Sequence, residues 1–226
     1  MPTVVFDLDG TLVDTAPDLV ATLNQIFARE GLPPVDYSVA RKMIGGGARA
    51  MIQRGLVAEG RSPEHTIDQL VADFIELYAS QIAERSRPFP QLETVLDGLA
   101  ARGCRFAVCT NKLEWLSVRL LDALGLSERF AAICGPDTFG VSKPNPQLLF
   151  GTIARAGGKA DAALMVGDSA TDVATARAAA IPVVAVDYGY SEIPAAELGA
   201  DRVISALTQL PQAVFDLIDP RPVGRI

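Results

Sequence analysis

Cysteine is scarce in this sequence, with only Cys104, Cys109 and Cys134 among 226 residues. Three thiols at irregular spacing argue against a disulfide framework, and the lack of a C-x-x-C pair argues against a zinc or redox centre. We therefore expect three buried, free thiols in a reducing compartment.

Long apolar runs are also missing. No run approaches the ~20 residues that a bilayer-spanning helix needs, and the amino terminus lacks a basic segment followed by an apolar signal region. We expect a cytoplasmic protein without a membrane partner.

Positive charge is in deficit, because 20 Lys and Arg residues face 27 Asp and Glu residues and leave a net charge of -7. A chain with this balance is a poor general binder of nucleic acid. Any anionic substrate must therefore meet local positive charge.

Short β-branched runs alternate with segments of helical spacing. The runs predict buried parallel strands at 4–6, 106–109, 131–134, 163–166, 183–186 and 202–204. The helical segments between them include 92–101, 113–124, 146–156 and 170–179. This alternation predicts an α/β sheet.

Residues 15–88 break the alternation, because they show helical patterns and no convincing strand. We predict a helical insertion (residues 15–88) after the first strand of an α/β core (residues 1–14 and 89–226). The prolines of 87–90 favour a hinge back into the sheet. The sole histidine, His65, is expected to be exposed, and the tail 219–226 to be loose.

Carboxylates follow two of the predicted strands, at the sheet edge where parallel α/β proteins bind ligands. Asp7 and Asp9 lie two residues apart, so an extended backbone would turn both to one side. Asp168 follows a later strand, and Asp172 comes four residues after it. Oxygen ligands of this kind suit Mg²⁺. The alternative is that the last two acids only cap the alanine-rich helix after them.

The first acidic pair also has a structural alternative, because aspartates before Gly10 commonly stabilise a turn, with the Thr11 hydroxyl holding one of them. Charge favours the metal interpretation. A carboxylate ~4 Å from a phosphate dianion is repelled by roughly 8 kcal/mol at an effective dielectric of ~20. A divalent cation together with Lys143 would offset three aspartates and let a phosphate approach.

Thr110 and Asn111 follow the 106–109 strand and are candidate donors to phosphate oxygens. Capping of the next helix is their ordinary role, and the two roles are compatible because a helix start offers free N–H groups to an anion. Lys143 stands in a proline-flanked stretch that stiffens the approach to a helix. Its alternative is a solvated surface charge.

These elements together resemble the motifs of the haloacid dehalogenase-like hydrolases. They are D-L-D-G-T at 7–11, Thr110 with Asn111, Lys143 with Pro144, and G-D-S at 167–169 with Asp172. Each is short, but the ordered set spans the chain. The resemblance implies a doubly wound, mainly parallel, Rossmann-like core sheet, and the helical insertion looks like the small all-helical cap domain of one branch of that family.

The resemblance also implies residue roles. Asp7 would attack phosphorus and form an aspartyl-phosphate, and Asp9 would protonate the departing alkoxide and then activate water. An acid at the second position indicates a phosphatase or phosphomutase rather than a dehalogenase. Mg²⁺ would contact Asp7, the Asp9 backbone carbonyl and Asp168, with Asp172 in support. The phosphate oxygens would be steadied by Gly10, Thr11, Thr110, Asn111 and Lys143.

Within the phosphatases, segments 6–19 and 44–49 resemble the phosphoglycolate phosphatases. Gly46 and Gly47 at a helix start, with Arg49 nearby, would hold a small carboxylate. The alternative is a simple turn between helices with Arg49 in solvent. The resemblance implies hydrolysis of 2-phosphoglycolate to glycolate and phosphate, with sugar-phosphate phosphatase or phosphomutase activity as alternatives.

One rival belongs to a different class. A phospho-accepting signalling receiver also combines an acidic rim, a hydroxyl residue and a lysine on a doubly wound sheet, but it has no comparable helical insertion. The sequence leaves the oligomeric state open between monomer and homodimer.

Overall fold

A computed structural model of the chain describes residues 1–61 and 67–218. The predictions for His65 and for the tail from residue 219 lie outside these residues. Within the described ranges, no helix combines the length and the apolar character needed to cross a membrane.

A six-stranded parallel sheet forms the centre of the described structure. The strands found are β1 (Thr3–Phe6), β2 (Val13–Asp14), β3 (Arg87–Pro88), β4 (Arg105–Cys109), β5 (Ala132–Cys134), β6 (Ala163–Gly167), β7 (Val183–Val186) and β8 (Arg202–Ile204). The sheet order is β5-β4-β1-β6-β7-β8, with every pairing parallel. All six predicted strands are confirmed. Because β1 lies between β4 and β6, the loops after these three strands meet at one edge.

The α-helices of the described residues are α1 (Ala16–Arg29), α2 (Tyr37–Arg41), α3 (Gly47–Ala58), α4 (Ile67–Ser80), α5 (Leu92–Ala101), α6 (Glu114–Ala123), α7 (Pro136–Phe139), α8 (Pro146–Arg155), α9 (Ala170–Ala178) and α10 (Leu210–Ile218). Five of them, α5, α6, α8, α9 and α10, cover the two faces of the sheet. Val5 of β1 belongs to an apolar cluster with α8 and α9. Its neighbours Val4 and Phe6 point to the opposite cluster, with α5, α6 and α10. The predicted doubly wound fold is thus confirmed.

Helices α1 to α4 follow β1 and form the described part of the helical insertion. Helix α4 packs against α1 and α3. The apolar side of α1, with Leu19, Leu23, Ile26 and Phe27, is buried. These residues join the same apolar cluster as one face of the sheet, so the insertion and the α/β core share buried surface.

A short antiparallel ribbon joins the two ends of the helical insertion. Val13 and Asp14 of β2 pair with Pro88 and Arg87 of β3. The prediction of no strand in residues 15–88 was wrong for β3. Two residues are too few to show a period of two, and a proline is tolerated in a strand whose other side needs no partner.

Side-chain hydrogen bonds fasten both ends of the insertion. Asp18 Oδ2 accepts from the Ser86 backbone N–H at 2.8 Å and from the Ser86 hydroxyl at 2.6 Å. The Tyr190 hydroxyl accepts from the N–H groups of Thr15 at 2.7 Å and Ala16 at 3.0 Å, and donates to Asp14 Oδ1 at 2.6 Å. Tyr190 therefore uses the full capacity of its hydroxyl to fix the start of α1.

Candidate active site

Three buried carboxylates converge at the edge formed by the ends of β1 and β6. One oxygen from each of Asp7, Asp168 and Asp172 lies within 4.8 Å of the other two. The Asp7 backbone N–H donates to the Val166 carbonyl at 2.9 Å, which extends the pairing of β1 with β6 by one residue. The strand order thus brings Asp7 next to Asp168 despite their distance in sequence.

Lys143 supplies a buried cation to this acidic group. Its Nζ lies 2.8 Å from Asp7 Oδ1 and 2.6 Å from Asp172 Oδ1, and its side chain is 1% exposed. Asn111 fixes the backbone there, because its Oδ1 accepts from the Lys143 N–H at 2.8 Å. The other oxygen of Asp172 accepts from the Ser169 hydroxyl at 2.6 Å. Asp172 is therefore held in place by contacts at both oxygens.

One ammonium does not balance the acidic group. Burial raises the pKa of Asp7 to about 6, against the lowering effect of the Lys143 ammonium, and repulsion from Asp172 adds to the rise. Burial, followed by repulsion from Asp172 and Asp7, raises the pKa of Asp168 well above its usual value. Burial alone would lower the pKa of Lys143, but attraction to Asp172 and Asp7 outweighs it and raises that pKa. The group is thus short of positive charge.

The residues present fit a divalent, oxygen-seeking cation. Asp7 Oδ1 shares the Lys143 ammonium with Asp172 Oδ1, at 2.8 Å and 2.6 Å respectively. Two glycines make room beside Asp168, since a Cβ on Gly10 would lie 2.5 Å from Asp168 Oδ2 and one on Gly189 only 2.4 Å from it. Gly10 also has φ +86°, which disfavours other residues. A set of three carboxylates that shares one ammonium and includes no nitrogen or sulfur ligand matches the preference of Mg²⁺.

Asp9 lies outside this group of three carboxylates. Its Oδ1 accepts from the Thr15 hydroxyl at 2.7 Å, and its Oδ2 lies 3.0 Å from Lys112 Nζ. We expected the Thr11 hydroxyl to hold an aspartate, and this expectation was wrong. Thr11 lies in a tight turn in which its N–H bonds to the Leu8 carbonyl, and its buried hydroxyl reaches no partner among the described residues.

A cavity of about 470 Å³ lies between the helical insertion and the α/β core. Asp7 and Asp9 line it from the core, together with Thr110, Asn111 and Lys112. The cavity therefore gives a small ligand access to the acidic edge of the sheet.

The glycine-rich segment of the insertion closes against the core. Gly46 and Gly47 line the cavity, and a Cβ on Gly47 would lie 3.1 Å from the Asn111 carbonyl oxygen. Asn111 Nδ2 donates to the Gly45 carbonyl at 3.3 Å. Arg49 also lines the cavity, but it pairs with Asp68 of α4 and its side chain is 51% exposed.

Four of the described residues contact this site without a role predicted from the sequence: Thr15, Tyr78, Lys112 and Tyr190, whose backbone N–H donates to Asp168 Oδ2 at 2.6 Å. Lys112 follows the Thr110-Asn111 pair at the end of β4, and that position was the available signal for it. Tyr78 follows apolar residues at helical spacing in the sequence, a pattern that predicts only burial. Thr15 gave no signal, because its contact depends on the turn that precedes α1.

Comparison with known proteins supports the geometry. The family model described as haloacid dehalogenase-like hydrolase matches residues 4–186. A phosphoglycolate phosphatase of Agrobacterium fabrum is 46% identical over 95% of this chain and 93% of its own length. A phosphoglycolate phosphatase of Caulobacter vibrioides is 45% identical over 97% and 93%, respectively.

Solved structures show the same architecture. A crystal structure of a predicted phosphoglycolate phosphatase from Haemophilus somnus 129pt superposes with a TM-score of 0.87 at 28% identity, covering 94% of this chain and 97% of that one. The similarity therefore extends over both the helical insertion and the α/β core. With its acidic edge, buried lysine and six-stranded sheet, the chain belongs to the haloacid dehalogenase-like hydrolases.

Proposed function

We propose that this protein is a Mg²⁺-dependent phosphatase of small phosphomonoesters, with 2-phosphoglycolate as its preferred substrate. The observation that carries the proposal is the group of Asp7, Asp168 and Asp172, two of which contact the Lys143 ammonium and one of which, Asp7, lines a cavity of about 470 Å³. An acidic group of this kind, short of positive charge, suits a ligand that arrives with a divalent cation.

Asp7 and Asp9 carry the bond changes in this proposal. An Asp7 oxygen attacks phosphorus while the bond from phosphorus to the ester oxygen breaks, and Asp9 gives its proton to the departing alkoxide. Water then attacks phosphorus, the bond to Asp7 breaks, and Asp9 takes the proton from that water. Both aspartates return to their starting state, so the cycle releases one alcohol and one phosphate.

The remaining residues hold the reacting groups. Thr110 and Lys143 steady the phosphate oxygens, and Asn111 keeps the Lys143 backbone in position through the 2.8 Å bond to its N–H. Asp7, the Asp9 backbone carbonyl and Asp168 are the proposed holders of Mg²⁺, with Asp172 behind them. When bound, Mg²⁺ supplies positive charge against the carboxylates and the phosphate.

The choice of 2-phosphoglycolate is supported by the curated relatives, which are named phosphoglycolate phosphatases and match more than nine-tenths of this chain. The size of the cavity also suits a small ester. Residues 15–88 act in this proposal as a cap that excludes bulk water over the α/β core of residues 1–14 and 89–226. Arg49 and the glycines Gly46 and Gly47 are proposed to face the substrate from that cap.

The proposal is tested by phosphate release from a panel of esters with Mg²⁺ and with excess EDTA. The panel contains 2-phosphoglycolate, several sugar phosphates and ethyl phosphate. We expect multiple turnovers, the highest kcat/KM for 2-phosphoglycolate, and loss of turnover in EDTA. A single stoichiometric phosphorylation would favour the signalling receiver instead, and isomer formation without free phosphate would favour a phosphomutase.

The nucleophile is tested with Asp7→Asn, which we expect to lower kcat by at least about 1000-fold. The matched control is Asp122→Asn, a change at an exposed aspartate on α6 that should leave turnover unchanged. Hydroxylamine trapping of the phosphorylated enzyme should label Asp7 in the parent protein. A folded Asp7→Asn protein with substantial turnover would contradict the proposal.

A further inference from the structure

Lys112 is a buried cation in the cavity wall that the proposed bond changes do not use. Its side chain is 6% exposed, and its Nζ lies 3.0 Å from Asp9 Oδ2. The same Nζ lies 4.5 Å from the ring centroid of Tyr78, which belongs to α4 of the helical insertion. Lys112 is therefore held between the α/β core and the insertion, at the edge of the substrate cavity.

Tyr78 brings a second polar group to the same place. The residue is 1% exposed and lines the cavity, yet its O–H group donates to no acceptor among the described residues. Burial raises the pKa of Tyr78 to about 12, so the hydroxyl keeps its proton at neutral pH. A buried donor without a partner is costly unless a ligand satisfies it.

We propose that Lys112 and Tyr78 bind the distal carboxylate of a two-carbon phosphomonoester and so determine specificity, an inference that rests on the proposed function. Asp9 must come within ~2.6–3.2 Å of the ester oxygen that it protonates. In 2-phosphoglycolate a single CH₂ group separates that oxygen from the carboxylate. The carboxylate must therefore lie beside Asp9, where the ammonium of Lys112 is found.

Burial and charge favour Lys112 over Arg49 for this task. Arg49 already pairs with Asp68, and its side chain is half exposed, so water weakens its attraction for an anion. Lys112 is shielded from water, which strengthens a charge-assisted bond to a carboxylate. Before substrate binds, Asp9 Oδ2 lies 3.0 Å from this ammonium, so Lys112 has a polar partner in the cavity wall.

The test compares 2-phosphoglycolate with ethyl phosphate, in which a methyl group replaces the carboxylate. The measured quantity is the ratio of the two kcat/KM values, so that a general loss of activity cancels. We expect Lys112→Met to lower this ratio about 100-fold, because the charge-assisted contact is lost. Tyr78→Phe removes one oxygen, keeps the ring against Lys112, and should lower the ratio about 10-fold.

Lys159→Met is the matched control, since Lys159 is exposed, and it should leave the ratio unchanged. Thermal melting of each variant shows whether it is folded, and Tyr78→Phe keeps the test decisive if Lys112→Met does not fold. An unchanged ratio in a folded variant would overturn the inference. If kcat/KM falls equally for both esters, the ratio is unchanged and Lys112 acts only through Asp9. If the parent protein hydrolyses both esters without preferring the carboxylate, the inference fails and the phosphatase proposal stands; if it hydrolyses neither, both fail.

Discussion

Replacing Lys143 with methionine tests whether the acidic edge needs a built-in cation. The change keeps most of the side-chain volume and removes an ammonium that lies 2.8 Å from Asp7 and 2.6 Å from Asp172. At an effective dielectric of ~20, each contact corresponds to about 6 kcal/mol of attraction, much of which offsets the cost of burying the charges. Breaking a buried ion pair typically costs ~3–5 kcal/mol. In the absence of Mg²⁺, we therefore expect Lys143→Met to lower the unfolding free energy by this amount.

Urea unfolding followed by circular dichroism, in EDTA and in excess Mg²⁺, measures the loss. We expect Mg²⁺ to reduce it, because the divalent cation supplies the missing positive charge. In a thermal scan the loss corresponds to a fall of about 10 °C in Tm. The double variant Lys143→Met with Asp172→Asn should lose less unfolding free energy than the sum of the losses in the two single variants, because it removes one carboxylate along with the ammonium. A loss below about 1 kcal/mol, or strict additivity in the double variant, would refute the reasoning.

Other predictions concern Gly10 in the turn after β1, Tyr190 at the start of α1, and the buried thiol of Cys109. Gly10→Ala should lower the unfolding free energy by at least about 2 kcal/mol in urea, because its Cβ would lie 2.5 Å from Asp168 Oδ2, whereas Gly31→Ala, with φ +68° and open space, should cost about 1 kcal/mol. Tyr190→Phe should cost about 1–3 kcal/mol in the same assay, because it leaves two N–H groups and Asp14 without their partner. Burial raises the pKa of Cys109 from 9.0 to about 12, so the native thiol should react with dithiobisnitrobenzoate at pH 8 only as fast as the protein unfolds. The unfolded thiol ionises at a lower pH than the native thiol, so the contribution of Cys109 to the unfolding free energy should fall as pH rises from 9 to 12. Rapid labelling of the native thiol at pH 8 would contradict the raised pKa on which both expectations depend.

The strands could be predicted because their physics is local. Both faces of β1 and β6 are covered, so each strand is a run of apolar residues that needs no partner to be recognised. Once the strands were placed, parallel topology implied that residues after them would share an edge. This topology predicts that Asp7 and Asp168 are neighbours, whereas Lys143 is placed beside them by charge balance and by the family resemblance.

The remaining contacts depend on side-chain directions that a sequence does not encode locally. Asp9 and Asp7 were expected to face one way, but the turn after β1 directs Asp9 to Lys112 and Thr15. Tyr190 reaches the start of α1 from a loop 175 residues away in sequence, and no local sequence pattern predicts such a contact. The ribbon of β2 and β3 escaped detection because strands of two residues have no periodicity.

The pairing of β2 with β3 has a consequence for how this architecture can change over evolutionary time. Because β2 pairs with β3, the helical insertion leaves and re-enters the α/β core at adjacent points. All six strands of the parallel sheet lie outside this insertion, so its length does not set the order of β1, β4 and β6. Substitutions in the insertion can therefore change which ligands fit the cavity while Asp7, Asp168 and Asp172 keep their positions in the core.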